Sequence, residues 1–322
     1  MGEVHGTYDR FLKAGTALGL TYKIAETHLR FMQYAVPVPE KGKAFLYRYD
    51  GTGASSDANK PTGLPLAIIG SDLPEINIGR GSYGADVTLK RGFSIRIPHD
   101  IIREEPTGLS EIMRAFNTAG YWMAYIINNE WLVAAKAGAG STSTFSPSAV
   151  WSSDEATPIK DLVAFQKDMR RAGYPYRLTD VFLEDTNFYE LRQYLLGVDV
   201  EFLKMQNLMG VPTVDQDNIF VPTVGEVHAV ISGLDEGAIL GMDRNNPAVE
   251  LHYYNDPKFS IPEVKYETIV GGAKQIVTAP NYGMHYNVYE EDKSHDTVMQ
   301  FWFEGKFSVA ESYGLLYASS GV

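Results

Sequence analysis

The stretch Ala85-Asp86-Val87-Thr88-Leu89-Lys90-Arg91-Gly92-Phe93-Ser94-Ile95-Arg96-Ile97-Pro98 alternates between apolar and polar residues. Val87, Leu89, Phe93, Ile95 and Ile97 fall on one face and Thr88, Lys90, Ser94 and Arg96 on the other, because successive strand side chains point to opposite sides. The pattern predicts a single strand over Ala85 to Ile97. After Pro106 the period changes to that of a helix. Ile112, Phe116, Ala119, Met123, Ile126 and Ile127 form an apolar stripe, and proline does not return until Pro147. Thr107 or Ser110 can cap this helix, and Glu111 suits its positive end. The pattern runs roughly 28 residues, or roughly 40 Å at the helical rise, enough to form the spine of a whole domain. Gly138 to Thr144 ends it in turn-forming residues.

Upstream, Tyr8 to Tyr34 predicts a helical arm with Phe11, Ala14, Leu18, Tyr22, Ile24 and Leu29 as its apolar stripe, ended by Pro37 and Pro39. Lys43 to Tyr49 predicts a strand with Phe45, Tyr47 and Tyr49 on one face. Between this strand and the alternating one, Asp50 to Gly84 is rich in Gly, Ser, Asp, Asn and Pro, broken only by Leu64 to Ile69. So long a stretch without strong pattern is uncommon inside a compact domain. Two strands bracketing it predict an extended β-arm projecting from a body.

Downstream, Pro158 to Ala172 predicts a helix with Ile159, Leu162, Phe165 and Met169 on one side. Thr179 to Leu183 reads as a buried strand, and Asn187 to Leu196 as a helix capped near Asp185 or Thr186. Ile219 to Val221, His228 to Ile231, Ala238 to Leu240 and Val249 to Tyr253 predict a small mixed sheet. Met284 to Tyr289 and Thr297 to Phe303 predict further strands, Glu304-Gly305-Lys306 a hairpin turn, and Phe307 to Tyr317 the closing segment. The fold class is α+β.

The 322 residues are 44% hydrophobic and 21% charged, which excludes general disorder. The absence of Cys excludes disulfides, thiolate zinc sites, iron–sulfur clusters and a thiol nucleophile. With 28 Lys and Arg against 40 Asp and Glu, the formal charge of −12 is wrong for a chain that wraps nucleic acid over a broad surface. No apolar run approaches the ~20 residues needed to cross a bilayer. Met1 to Leu20 lacks the pattern of a signal peptide. These features predict a soluble acidic protein, cytoplasmic where it is made.

The motifs supply no reaction. Gly79-Arg80-Gly81-Ser82-Tyr83-Gly84 matches the dinucleotide fingerprint in spelling, but a strand follows it where the motif needs a helix N-terminus. The histidines His5, His28, His99, His228, His252, His285 and His295 contain no H-E-x-x-H and no helical i, i+4 pair. Asp243, Asn255 and Asp256, near His252 in sequence, do not follow the EF-hand spacing and read as turn residues. There is no G-x-S-x-G elbow, and Gly42-Lys43 lacks the Ser or Thr of a Walker loop. Glu290-Glu291-Asp292 with Asp296 reads as a solvated charge run, and Trp122, Trp131, Trp151 and Trp302 as core or contact aromatics. The expectation is no catalytic residue, no cofactor and no metal.

The order of elements resembles the HK97-fold major capsid proteins of tailed bacterial and archaeal viruses. The resemblance rests on three stretches. Ala85 to Pro98 leading into the helix from Leu109 is similar to the strand that feeds the family's spine helix. Trp151-Ser152-Ser153-Asp154, Pro158-Ile159-Lys160-Asp161-Leu162 and Tyr176-Arg177-Leu178-Thr179-Asp180-Val181-Phe182 resemble the entry to its axial domain. Gly237-Ala238-Ile239-Leu240-Gly241 followed by Val249-Glu250-Leu251 is like that domain's later short strands. The resemblance implies an N-terminal arm over 1–41, an extended loop over 42–84, a peripheral domain over 85–150 with 285–322, and an axial domain over 151–284.

It further implies a virion shell protein, assembled in the host cytoplasm as pentamers and hexamers around double-stranded DNA contacted non-specifically. A separate scaffolding protein (or a chain already trimmed), a portal and a possible decoration protein go with it, and no membrane. Relatives sometimes cross-link neighbours through Lys and Asn, and loop lysines such as Lys43 and Lys60 exist here, although a loop lysine is most often just solvated. Two other readings stand beside this one: an encapsulin-type cellular compartment around a cargo enzyme, and a soluble enzyme whose carboxylate and His site is invisible in one dimension.

Overall fold

A computed structural model describes residues 14–49, 82–103, 107–139, 141–142, 149–153, 155–171, 176–197, 218–221, 224–230, 233–235, 237–270, 273–291, 296–310 and 314–318. The described chain begins with α1 (Ala14–Glu26), a 3-10 turn (Met32–Tyr34), β1 (Ala35–Glu40), β2 (Ala44–Tyr49), β3 (Ser82–Val87) and β4 (Leu89–Pro98). A short α2 (His99–Arg103) precedes the long α3 (Thr107–Gly138), followed by β5 (Ser141–Thr142), α4 (Pro158–Arg171), β6 (Asp180–Glu184) and α5 (Asp185–Gly197). Then come β7 (Asn218–Val221), β8 (Gly225–Val230), β9 (Ile239–Met242), β10 (Val249–Tyr254), β11 (Glu263–Val270) and β12 (Ala273–Pro280). The last strands are β13 (Met284–Glu291), β14 (Asp296–Val309) and β15 (Leu315–Ala318). Among the described residues, no helix is long and apolar enough to cross a membrane.

The chain divides into two compact units. The first gathers the described residues up to 45, 86–131 and 250–307. Its sheet has the order β1-β10-β14-β13, and β4 pairs antiparallel with β14 from Asp296↔Pro98 to Gly305↔Leu89. The expected stripe of α3 is its buried face: Ile112, Phe116, Ala119, Met123 and Ile127 are all buried, with Ile126 half-buried. The Phe116 ring meets Phe301 of β14 edge-on at 6.0 Å. Further along, Phe31 stacks on the fully buried Trp131 at 4.7 Å. Helix α1 approaches α3 closely at Gly120, where an added Cβ would come within 2.6 Å of the Ile24 Cβ.

The second unit gathers the described residues within 46–85, 132–249 and 308–322. Its mixed sheet has the order β5-β15-β9-β6-β8-β7. Asp180, Val181, Phe182 and Leu183 of its β6 are all buried, as expected for a strand covered on both faces. Leu162, Phe165 and Met169 of α4 and Phe188, Leu191 and Leu195 of α5 share one apolar cluster with Val181, Leu183, Ile219 and Val227. Glu184 accepts the Thr186 N–H at 2.9 Å at the start of α5, where the sequence places a cap.

Several elements differ from the sequence reading. The N-terminal helix stops at Glu26, short of Tyr34. Asn128 of α3 donates to the His28 carbonyl at 2.7 Å and accepts the Phe31 N–H at 3.4 Å, so the chain turns there. Pro37 and Pro39 lie within strand β1. The alternating strand is divided at Thr88, whose N–H donates to the Lys43 carbonyl at 2.7 Å. Glu304-Gly305-Lys306 is no turn: β14 runs through it, because Glu304 finds Lys43 just ahead of β2, Lys306 finds Asp86 of β3, and Gly305 leaves room for the Phe303 ring. Strand β10 pairs in the sheet of β14, not with β7 to β9. Residues 263–280 form the β11–β12 hairpin, in register from Glu263↔Pro280 to Val270↔Ala273. Helix α3 is 32 residues long, starts at Thr107 and so has Ser110 inside its first turn.

Candidate functional site

The pair β2–β3 is a two-stranded ribbon that brackets residues 50–81. Those residues, which include most of the expected long loop, Lys60 and Gly79 to Gly81, lie outside the described ones. A ribbon of this kind is only marginally stable alone, so its root matters. Lys43 reaches Glu304 of β14 at 2.7 Å, and Glu304 is buried. Lys306 reaches Asp86 at the end of β3 at 2.5 Å. The Glu304 hydrogen bond and charge hold the Lys43 ammonium above its ordinary pKa. Burial pushes Asp86 up, but Lys306 and the Val87 N–H more than offset it and hold the carboxyl below its usual range. Phe45 is buried and stacks on His252 at 4.1 Å. Beside this fixed root, Leu46 is 72% exposed and Val87 50% exposed.

A second cluster forms on the parallel pair β6–β8. Asp180 lies in register with Glu226, and His228 is two residues further along β8. One ligand atom from each of Asp180, Glu226 and His228 lies within 4.8 Å of the others. Arg244 donates from one Nη2 to both Asp180 and Glu226, so its guanidinium takes the place between the carboxylates that a metal ion would need. His228 Nε2 is 2.8 Å from Asp180, and Thr179 Oγ1 donates to Asp180 at 2.8 Å. Burial pushes the Asp180 carboxyl up, and the bonds from His228, Thr179 and Arg244 outweigh that and hold it below its ordinary value. The group is an ion network that runs from the buried Asp180 to the half-exposed Glu226, with Arg244 bridging both carboxylates. Sequence reading missed it, since its members are spread from Thr179 to Arg244 and share no motif.

The remaining residues singled out in the sequence fall in separate places. His28 meets Tyr121 edge-on, and His99 lies 3.9 Å from Glu290. His285 is buried and stacks on Trp302 at 5.1 Å. Asp256 accepts the Lys258 N–H and shapes its local turn, whereas Asp243 accepts both the nearby Asn245 N–H and the distant Arg177 N–H. Trp131, Trp151 and Trp302 are core, whereas Trp122 is exposed beside Tyr121 and Tyr125 on α3. Ser82-Tyr83-Gly84, the end of the glycine-rich motif, opens strand β3. His5, His295, Asp154 and Asp292 lie outside the described residues.

The whole chain is similar to solved shell structures. The capsid of cyanophage P-SCSP1u aligns with a TM-score of 0.53 at 12% identity, over 90% of this chain and 88% of that one. The capsid of an empty GTA particle aligns with a TM-score of 0.52 at 10% identity, over 92% and 90%. A phage-related protein of Bordetella bronchiseptica RB50 is similar at a TM-score of 0.49 and 12% identity, over 94% and 97%. No protein-family model matches the sequence, and no curated protein does. The chain has the HK97-like capsid fold, of class α+β.

Proposed function

We propose that this chain is a major capsid protein, tiling with copies of itself into an icosahedral shell of pentamers and hexamers that encloses double-stranded DNA. The observation that carries the reading is the ribbon root: Lys43, Asp86 and Phe45 fix the base of β2–β3, while Leu46 and Val87 stay exposed. A subunit that clasps a neighbour through a reaching element gains contact area that a flat edge does not give, and symmetry repeats the gain around each copy. The shared fold supports the same assignment. The bracketed residues 50–81 serve as the clasp in this reading, with 85–150 and 285–322 as the peripheral domain and 151–284 as the axial domain. The protein does no catalysis. A separate scaffold and a portal are its assembly partners, the host cytoplasm is where it assembles, and the virion capsid is its destination.

Electron microscopy of the purified full-length protein tests this. Closed particles with five- and six-fold capsomers are the expected result, and a persistent monomer or small oligomer under all assembly conditions overturns it. Particles recovered from producing cells should protect double-stranded DNA from nuclease. Particles that hold a folded cargo protein instead assign the chain to a cellular compartment.

A further inference from the structure

His252 of β10 is 2% exposed and sits between two carboxylates. Its Nδ1 is 2.8 Å from Glu40 at the end of β1, and its Nε2 is 3.2 Å from Glu250 on β10 itself. An ionised carboxylate only accepts, and a neutral imidazole carries a single N–H. Both contacts are therefore hydrogen bonds only when the ring holds both protons. Phe45 closes one face of the ring at 4.1 Å and 11°. Asp86 on β3 also feels the His252 charge, and Lys306 of β14 neutralises it.

β1 is the terminal strand of its sheet, and Pro37 and Pro39 take N–H donors out of its six residues. Proline is tolerated on an edge strand, where its nitrogen can face away from the neighbouring strand. The Glu40 bond to His252 adds a side-chain tie to this one-sided attachment.

We propose that His252 is a proton-operated clasp, which as an imidazolium binds both Glu40 of β1 and Glu250 of β10, and which as a neutral ring, with one N–H left for two carboxylates and no charge, loosens β1. The inference concerns the single subunit and stands apart from the shell-forming assignment. Burial by itself pulls the His252 pKa down, but the bonds to Glu250 and Glu40 and their charges outweigh it and hold the value above the ordinary one. A raised folded-state pKa means the contribution is complete below the unfolded value of about 6.5 and is lost as pH climbs through the higher folded value. The clasp therefore opens on the alkaline side.

Amide hydrogen exchange on the full-length protein, corrected at each pH for the chemical exchange rate, tests this. Peptides over residues 35–40 should lose at least about tenfold in protection between about pH 6 and about pH 9, while α3 and β6 keep theirs. His252→Gln should give low, pH-independent protection over 35–40. Glu40→Gln keeps the ring in place and should move the loss to lower pH, so it decides the matter even where His252→Gln does not fold. Flat wild-type protection over this range, or a Glu40→Gln midpoint equal to that of the wild type, overturns the proposal.

Discussion

A second buried histidine of the first unit stands in the opposite charge state to His252. His285 Nε2 accepts the Asp256 N–H at 2.9 Å, so its Nδ1, 2.9 Å from the Gly283 carbonyl, must carry the proton. Burial lowers its pKa, the Lys90 charge adds to that, and together they outweigh the Gly283 bond and the Glu304 and Asp256 charges. A depressed histidine pKa leaves stability intact above the unfolded value of about 6.5 and removes it as pH falls toward the folded value, by at most about 1.4 kcal/mol per pH unit. Urea unfolding midpoints should decline on acidification below that point, and His285→Gln should flatten the decline. In the second unit, Arg244→Leu leaves the buried Asp180 beside Glu226 without its bridging cation. The expected loss is about 2 kcal/mol by urea denaturation, and an unchanged midpoint would remove Arg244 from the network.

Helices and strands were legible where one element carried its own period. The stripe from Ile112 to Ile127 matches the buried face of α3 because that helix packs along one side over its length. Where an element ends was less legible. Asn128, about a hundred residues downstream, captures the turn after α1, and Lys43 and Asp86, far away in sequence, keep Glu304 and Lys306 within β14. The β11–β12 hairpin had a readable signal, since Glu263, Lys265 and Glu267 alternate with the buried Val264 and Tyr266. Its apolar runs, Ile269-Val270 and Ile276-Val277, are only two residues long, too short to mark strands by themselves. Two variants probe packing at this level. Gly120→Val should cost about 1–3 kcal/mol by pressing α1 off α3, since a Cβ there already meets Ile24. Trp131→Ala should cost about 3–5 kcal/mol by emptying the site beneath Phe31. Thermal or chemical unfolding reads both.

For the molecule as a whole, the ribbon separates folding from association. Replacing residues 50–81 with a short Gly-Ser turn joins β2 to β3, which are already paired. Loop length has a slow effect on closure entropy, so circular dichroism and the unfolding midpoint should change little, while particle formation is lost. Particles of normal size from this variant would remove the segment from assembly. The sequence by itself determined the strand–helix order from Ala85 to Gly138, the absence of thiol chemistry and the acidic charge. These follow from composition and from spacings of two to four residues along one chain. Only the tertiary structure decided that β10 joins β14, that Arg244 sits between Asp180 and Glu226, and that His252 lies between Glu40 and Glu250. Those pairings depend on which buried faces and charges meet across distant parts of the chain, and local spacing carries no record of that meeting.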